Sequence, residues 1–188
     1  MSIAEKLLVL AENEQRISTE VDEQSDLIAQ ISSVIDEKLA GGGEEQVSKL
    51  AGVVDGSVTE LTAEDLAGAT KIRMQAFYNW GELTRIEIPD SVTTIGDEAF
   101  YTCSNLTSVV IGEGVTSISG YAFYTCRALR RVDFSKHTKV PTLGKNVFSY
   151  THGDLQIKVP ANLIDEWKNA TNWANYASKI VTEFTNEV

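Results

Sequence analysis

The chain has 188 residues, with 27 acidic and 16 basic side chains, a formal net charge of −11, 43% apolar residues, two Cys and three Pro. This apolar content excludes a wholly disordered chain, and the lack of any uninterrupted apolar run of about 18 residues excludes a membrane-spanning helix. The acidity argues against nucleic acid as a partner, two Cys are too few to cross-link a small secreted scaffold, and the acid-rich start (Glu5, Glu12, Glu14, Glu20, Asp22) does not read as a secretory signal.

Charge divides the chain. Residues 1–60 hold 13 acids and 4 bases, while residues 61–188 hold 14 acids and 12 bases, so the two parts face different surroundings. In the first part, apolar residues recur at alternating spacings of four and three: Ile3, Leu7, Leu10, Ile17, Val21, Ile28, Ile31 and Ile35, with Glu14 and Gln24 interrupting. No Gly or Pro breaks the run before Gly41. The spacing predicts a coiled-coil helix over 1–40 that buries a narrow seam against like helices, and Ile in both core layers favours three strands over two. An amphipathic helix folded against its own domain is the alternative. The Gly41-Gly42-Gly43 run ends the helix, and 41–57 reads as a linker.

The second part repeats. Ile72–Pro89, Ile95–Gly112 and Ile118–Ser135 align, followed by a looser unit from Leu143 that closes at Ile157–Pro160. Phe77, Phe100 and Phe123 are 23 residues apart, and Phe148 follows after 25. Each unit ends in an alternating pair (Ile86/Ile88, Val109/Ile111, Val132/Phe134, Ile157/Val159), which predicts a short strand with one face buried; the Ala-Phe segment before it predicts a single helical turn. One such unit cannot bury its own apolar face, so the units stack into a solenoid with a shared core.

The pattern Ile-Gly-x-x-Ala-Phe-x-x-Cys-x-x-Leu-x-x-Val-x-Ile, best seen from Ile95 to Ser117, resembles the BspA-like (Treponema-type) leucine-rich repeat. Trp80 in place of the first Cys, Gly112 where Pro is expected and the irregular fourth unit depart from it. The entry segment from Val58, the exit after Val159 and the opening Met-Ser-Ile-Ala-Glu-Lys-Leu resemble prophage tail and fibre proteins of gut bacteria. The expected fold is therefore α+β: a helix over 1–40, a linker over 41–57, an N-terminal cap over 58–71, leucine-rich repeats over 72–160 and a C-terminal cap over 161–188. Thr62 and Asp65 have the spacing of a helix cap before Leu66, and Leu163, Ile164, Trp167, Trp173 and Tyr176 are the apolar set that closes the far end.

No residues form a catalytic constellation, and no cofactor or metal is expected. His137 and His152 lack a nucleophile at working distance in sequence, and no phosphate loop or His-Glu-x-x-His occurs. Cys103 and Cys126 share one repeat position, which suits a buried filler and leaves a disulfide between neighbouring coils open. Tyr78, Tyr101 and Tyr124 each follow the repeat's Phe, so with Phe inward they form a surface ladder, either a binding site for sugar or protein or a stack that only stabilises the repeat. The run Arg127, Arg130, Arg131, Lys136, Lys139 and Lys145, opposed by Asp133 alone, is either a docking patch for an anionic surface or a solvated edge. The resemblance implies a non-enzymatic, structural and adhesive virion protein, a homotrimer that meets other virion proteins and a bacterial surface glycan or protein, without membrane insertion. The alternative is a bacterial interaction module, in the cytoplasm or on the cell surface, that is not part of a virion.

Overall fold

The computed structural model describes residues 58–185. The expected stem, with Ile3, Leu7, Leu10, Ile17, Val21, Ile28, Ile31 and Ile35, and the linker at 41–57 lie outside the described residues.

The described residues wind through short parallel strands: β1 (Glu60–Leu61), β2 (Lys71–Ile72), β3 (Arg85–Ile88), β4 (Thr94–Ile95), β5 (Ser108–Ile111), β6 (Ser117–Ile118), β7 (Arg131–Asp133), β8 (Thr142–Leu143), β9 (Gln156–Lys158) and β10 (Ile180–Val181). One sheet has the order β1-β3-β5-β7-β9-β10, with the three- and four-residue strands at its centre, and the two-residue strands β2-β4-β6-β8 form a second. Arg85 pairs with Ser108 and Ser108 with Arg131, so one sequence repeat is one coil. Inward strand positions such as Ile86, Ile88, Val109, Ile111 and Val132 are buried, and they meet a column of Phe rings whose centroids stand 4.9 Å apart from Phe77 to Phe100 and from Phe100 to Phe123, then 5.5 Å to Phe148. Each buried side chain of this size contributes about 1.5–3 kcal/mol.

The expected helical turn before each long strand is instead a run of β-turns, at 74–79, 97–102, 120–125 and 145–150. Alternate amides divide their bonds. Ala76, Tyr78 and Trp80 donate within their own coil, whereas Gln75, Phe77 and Asn79 donate to Asp97, Ala99 and Tyr101 of the next. The next coils repeat this, with Glu98, Phe100 and Thr102 donating to Gly120, Ala122 and Tyr124. A helix would keep every amide for itself and could not be stacked at strand spacing. The geometry places non-glycine residues at positive φ at the same two points of each coil: Gln75, Glu98, Tyr121 and Asn146, and Asn79, Thr102, Thr125 and Tyr150. Each costs about 1–2 kcal/mol of backbone strain, comparable to the penalty for leaving the amide it aims at the next coil without a partner.

Residues 63–68, expected to be a helical cap, are also turns, with the Thr62 amide and hydroxyl both donating to Asp65 Oδ2 at 2.7 Å. Leu61 pairs with Ile86, so this segment enters as a partial coil of the same sheet. The far end is a true cap. A 3₁₀ turn (Ala161–Leu163), helix α1 (Ile164–Asn169) and a 3₁₀ helix (Trp173–Lys179) lie over the last coil, with Trp167 and Trp173 fully buried. Side chains here replace the coil that does not follow. Asn172 Nδ2 donates to the Leu143 carbonyl and Trp173 Nε1 to that of Pro141, while the Tyr176 hydroxyl accepts from the Phe148 amide. In earlier coils the same three backbone positions bond to the next coil's main chain, as in Gly144 to Ile118, Thr142 to Thr116 and Phe123 to Val147.

The longer fourth interval lies in the connection between the sheets, nine residues from Ser108 to Ser117 but eleven from Arg131 to Thr142. The longer loop folds His137 inward, where its ring meets Phe134 and Trp167 and its Nε2 lies 3.2 Å from the Val115 carbonyl. Burial lowers the imidazole pKa from its ordinary 6.5, against the opposing pull of its backbone bonds and of Glu113 and Asp90. Gly112, standing where Pro was expected, also has a reason: a Cβ there would lie 2.5 Å from the Pro89 carbonyl carbon, and one on Gly114 would lie 2.0 Å from the Asp90 oxygen.

Two outcomes follow. Gly114→Ala lowers stability by about 1–3 kcal/mol in denaturant melts, whereas Gly153→Ala, whose added methyl meets nothing within 4 Å, leaves it unchanged. Because the folded state holds His137 below the unfolded value, the unfolded chain binds more protons in that window; stability is full above about pH 6.5 and falls as the pH drops through it. Thermal melts between pH 7 and pH 5 show this loss, and His137→Phe flattens it.

Candidate functional site

The side-chain alternation of the turn runs sends Phe into the core and the following residue outward. Tyr78, Tyr101 and Tyr124 stack face to face, with centroids 5.2 Å apart and planes within 5° and 17° of parallel. Each of these residues closes a turn with its own amide, donating to Gln75, Glu98 and Tyr121, so the rings stand on backbone that is bonded within the coil while its neighbours are bonded between coils.

Two further tyrosines join them that the repeat comparison did not mark. Tyr121 and Tyr150 pack edgewise on Tyr124 at 5.3 and 5.1 Å. They sit at the two positive-φ positions, where the other coils carry Gln75, Glu98 and Asn146, or Asn79, Thr102 and Thr125, so alignment alone hides them. The clue in the sequence was composition by region: five of the six Tyr fall in the turn runs, and the sixth, Tyr176, is in the cap. Desolvation, then the charge and hydrogen bonding of Tyr150, holds the Tyr124 phenol above its ordinary pKa. All four large apolar or aromatic side chains that are strongly exposed among the described residues, Met74 (62%), Tyr78 (48%), Tyr121 (38%) and Tyr150 (70%), lie on this turn face.

The flanking rows are polar. Gln75 Nε2 donates to Glu98 at 2.9 Å, and Asn146 Nδ2 donates to the Tyr121 hydroxyl at 3.4 Å. Cys103 and Cys126 are buried and unbridged, each thiol turned toward the carbonyl of Phe77 or Phe100 in the preceding coil. Burial pushes the Cys103 thiol up to about 12 and that of Cys126 upward as well, which leaves both as unreactive fillers. Trp80 at the equivalent position stacks on Phe77 at 5.7 Å.

The basic run is spread along one coil. Arg127 lies in the turn before β7, Arg130 at its foot and Arg131 within it, Lys136 and Lys139 in the connection to β8, and Lys145 at the start of the following turn run. Arg130 reaches Asp154 at 3.4 Å, an exposed pair of small energetic weight. On the outer face of the larger sheet, the guanidinium of Arg131 and the ammonium of Lys158 stand 5.3 and 5.7 Å from the Phe184 ring, Lys158 pairs with Glu183, and the Gln156 amide bonds Thr185 in both directions. The chain's own tail therefore engages Arg131. Among the described residues no group of three His, Cys, Asp or Glu could hold a metal ion, and His152 bonds the Asp154 amide through Nδ1.

Comparison with known proteins places the repeats. The model of the BspA-type leucine-rich repeat region matches residues 69–176, with six copies. A leucine-rich repeat protein from Bacteroides ovatus is 23% identical over 67% of this chain and 30% of its own, with a TM-score of 0.50. One from Bacteroides capillosus is 29% identical over 50% of this chain and 64% of its own (TM-score 0.43), and the Treponema pallidum leucine-rich repeat protein is 25% identical over 54% and 51% (TM-score 0.44). This chain thus spans less than two thirds of the length of each of them, and no curated protein matches it. The matched residues are more than half of the chain and coincide with the stacked coils seen here: the protein belongs to the BspA-type leucine-rich repeat family.

Proposed function

We propose that the protein is a non-enzymatic structural and adhesive component of a phage or prophage particle, a fibre or receptor-binding protein. In this reading residues 1–40 join three copies and attach them to other virion proteins, and the repeats are displayed toward a glycan or protein of the bacterial surface. One observation carries the adhesive part: the strongly exposed aromatic and apolar side chains are gathered on a single face of the solenoid and held by main-chain bonds. Aromatic side chains on a rigid support lose little entropy on binding, and they dominate the energetics of contact surfaces. Weak single heads joined on one stem gain avidity when they engage together.

The particle context draws its support from the resemblance of the opening and flanking segments to prophage structural proteins. The family match itself falls on the repeats and supports an interaction module in either setting, so the second reading is an interaction module of the bacterium itself, in its cytoplasm or on its surface. Both readings use the same turn face and differ in where the chain resides.

Proteomics of purified particles after prophage induction finds the chain in stoichiometric amount if the first reading holds; recovery only from the cell fraction overturns it. Light scattering on the full chain gives three copies if residues 1–40 form the expected stem. Tyr78→Ala with Tyr150→Ala lowers binding of the full chain to target cells by about tenfold or more, with little change in melting temperature.

A further inference from the structure

The tyrosine stack is not a platform. Within the ladder each ring covers the face of the next at 5.2 Å, so Tyr101 and the inner sides of Tyr78 and Tyr124 present edges and hydroxyl groups in place of open π-faces. A ligand laid across the ladder meets a row of phenol edges repeated at one coil spacing, about 5 Å. On each side runs a parallel row at the same spacing: Gln75, Glu98, Tyr121 and Asn146 on one, Asn79, Thr102, Thr125 and Tyr150 on the other. Among these two rows and the ridge itself, only Glu98 is charged, and Gln75 neutralises part of its hydrogen-bonding demand.

We infer that this face binds a neutral, linear glycan lying along the solenoid axis, one sugar to a coil. The reading rests on the adhesive role proposed above and names its ligand. A repeated row of hydroxyl and amide groups matches a polymer whose own hydroxyls recur at comparable spacing, and an extended chain of equatorially linked pyranose rings is such a polymer. A protein surface repeats at that pitch only where its own strands stack, and a nucleic acid or teichoic acid would need the cations that these rows lack. Open ring surface is left where sugar stacking is useful, on Tyr150, which is 70% exposed. The bound chain is thus hydrogen-bonded along its length and stacked at the Tyr150 end.

Titration of the full chain with β1,4-linked gluco-, manno- and chito-oligosaccharides of one to six units, against α1,4-linked malto-oligosaccharides, tests this directly by calorimetry or ligand-observed NMR. Affinity for at least one β-linked series rises with each unit up to about four and then levels, while the curved malto series of equal length stays at the monosaccharide level. The triple variant Tyr78→Phe/Tyr101→Phe/Tyr124→Phe, which keeps the stack and removes three hydroxyl groups, loses about tenfold of that affinity with an unchanged melting temperature. No length dependence in any β-linked series, equal binding of the malto series, or full affinity in the triple variant each overturns the inference. If the oligosaccharides fail but Tyr78→Ala with Tyr150→Ala still abolishes attachment to cells, the glycan assignment falls and the adhesive reading stands; if attachment also survives, both fall.

Discussion

Main-chain hydrogen bonding between coils is the constraint on which the rest of the structure depends. In the two sheets this is ordinary parallel pairing, but here it continues through the turn runs, where every second amide reaches the next coil. A coil so built must superimpose on its neighbours residue for residue. That requirement forces side chains to alternate in and out even where no strand exists, so Phe lines the core and Tyr the surface at one fixed height. It also explains positive φ at Glu98, Thr102 and Thr125, residues that do not favour it. The local strain persists because the array over-determines the backbone, and a single coil would relax.

A repeated coil creates an end problem, and the C-terminal cap answers it chemically. The amide of Asn172, the indole of Trp173 and the phenol of Tyr176 supply the partners that main-chain atoms of a following coil would supply, while Trp167 packs on Phe134 and Trp173 on Phe148. His137 belongs to the same closure. Two additional residues between the sheets let it pack against Trp167, and burial there holds its imidazole below its ordinary pKa. The tail then returns over the outer sheet face through Phe184, so Arg131 and Lys158 are engaged within the chain.

Much of this was legible in the amino-acid sequence because burial is periodic. The spacing of Phe77, Phe100 and Phe123, the paired Ile and Val of the long strands and the aromatic set after Pro160 all report the core, and the Tyr ladder follows from the parity of one residue after Phe. Backbone conformation was less visible. The turn runs read as helical because Ala-Phe-Tyr has no strand-like breaker and because Glu, Thr and Tyr give no sign of left-handed φ; their conformation is set by the neighbouring coil, which a local reading does not contain. Likewise Leu61 and Ile180 carry too little pattern to announce the two-residue strands that extend the larger sheet. Tyr121 and Tyr150 were hidden because each replaces a polar residue at its repeat position.

The surface chemistry inherits its order from the backbone. Tyr78, Tyr101 and Tyr124 are evenly spaced because the amides on either side of each bond to the next coil, so the regularity a linear ligand would read is the regularity of main-chain bonding. Native-state hydrogen exchange, resolved by residue, measures that bonding most directly. Amides of Phe77, Asn79, Phe100, Thr102, Phe123 and Thr125 should exchange as slowly as those of β5 and β7, through opening of the whole array. Exchange at the rate of open surface turns, while the sheet amides stay protected, would contradict it.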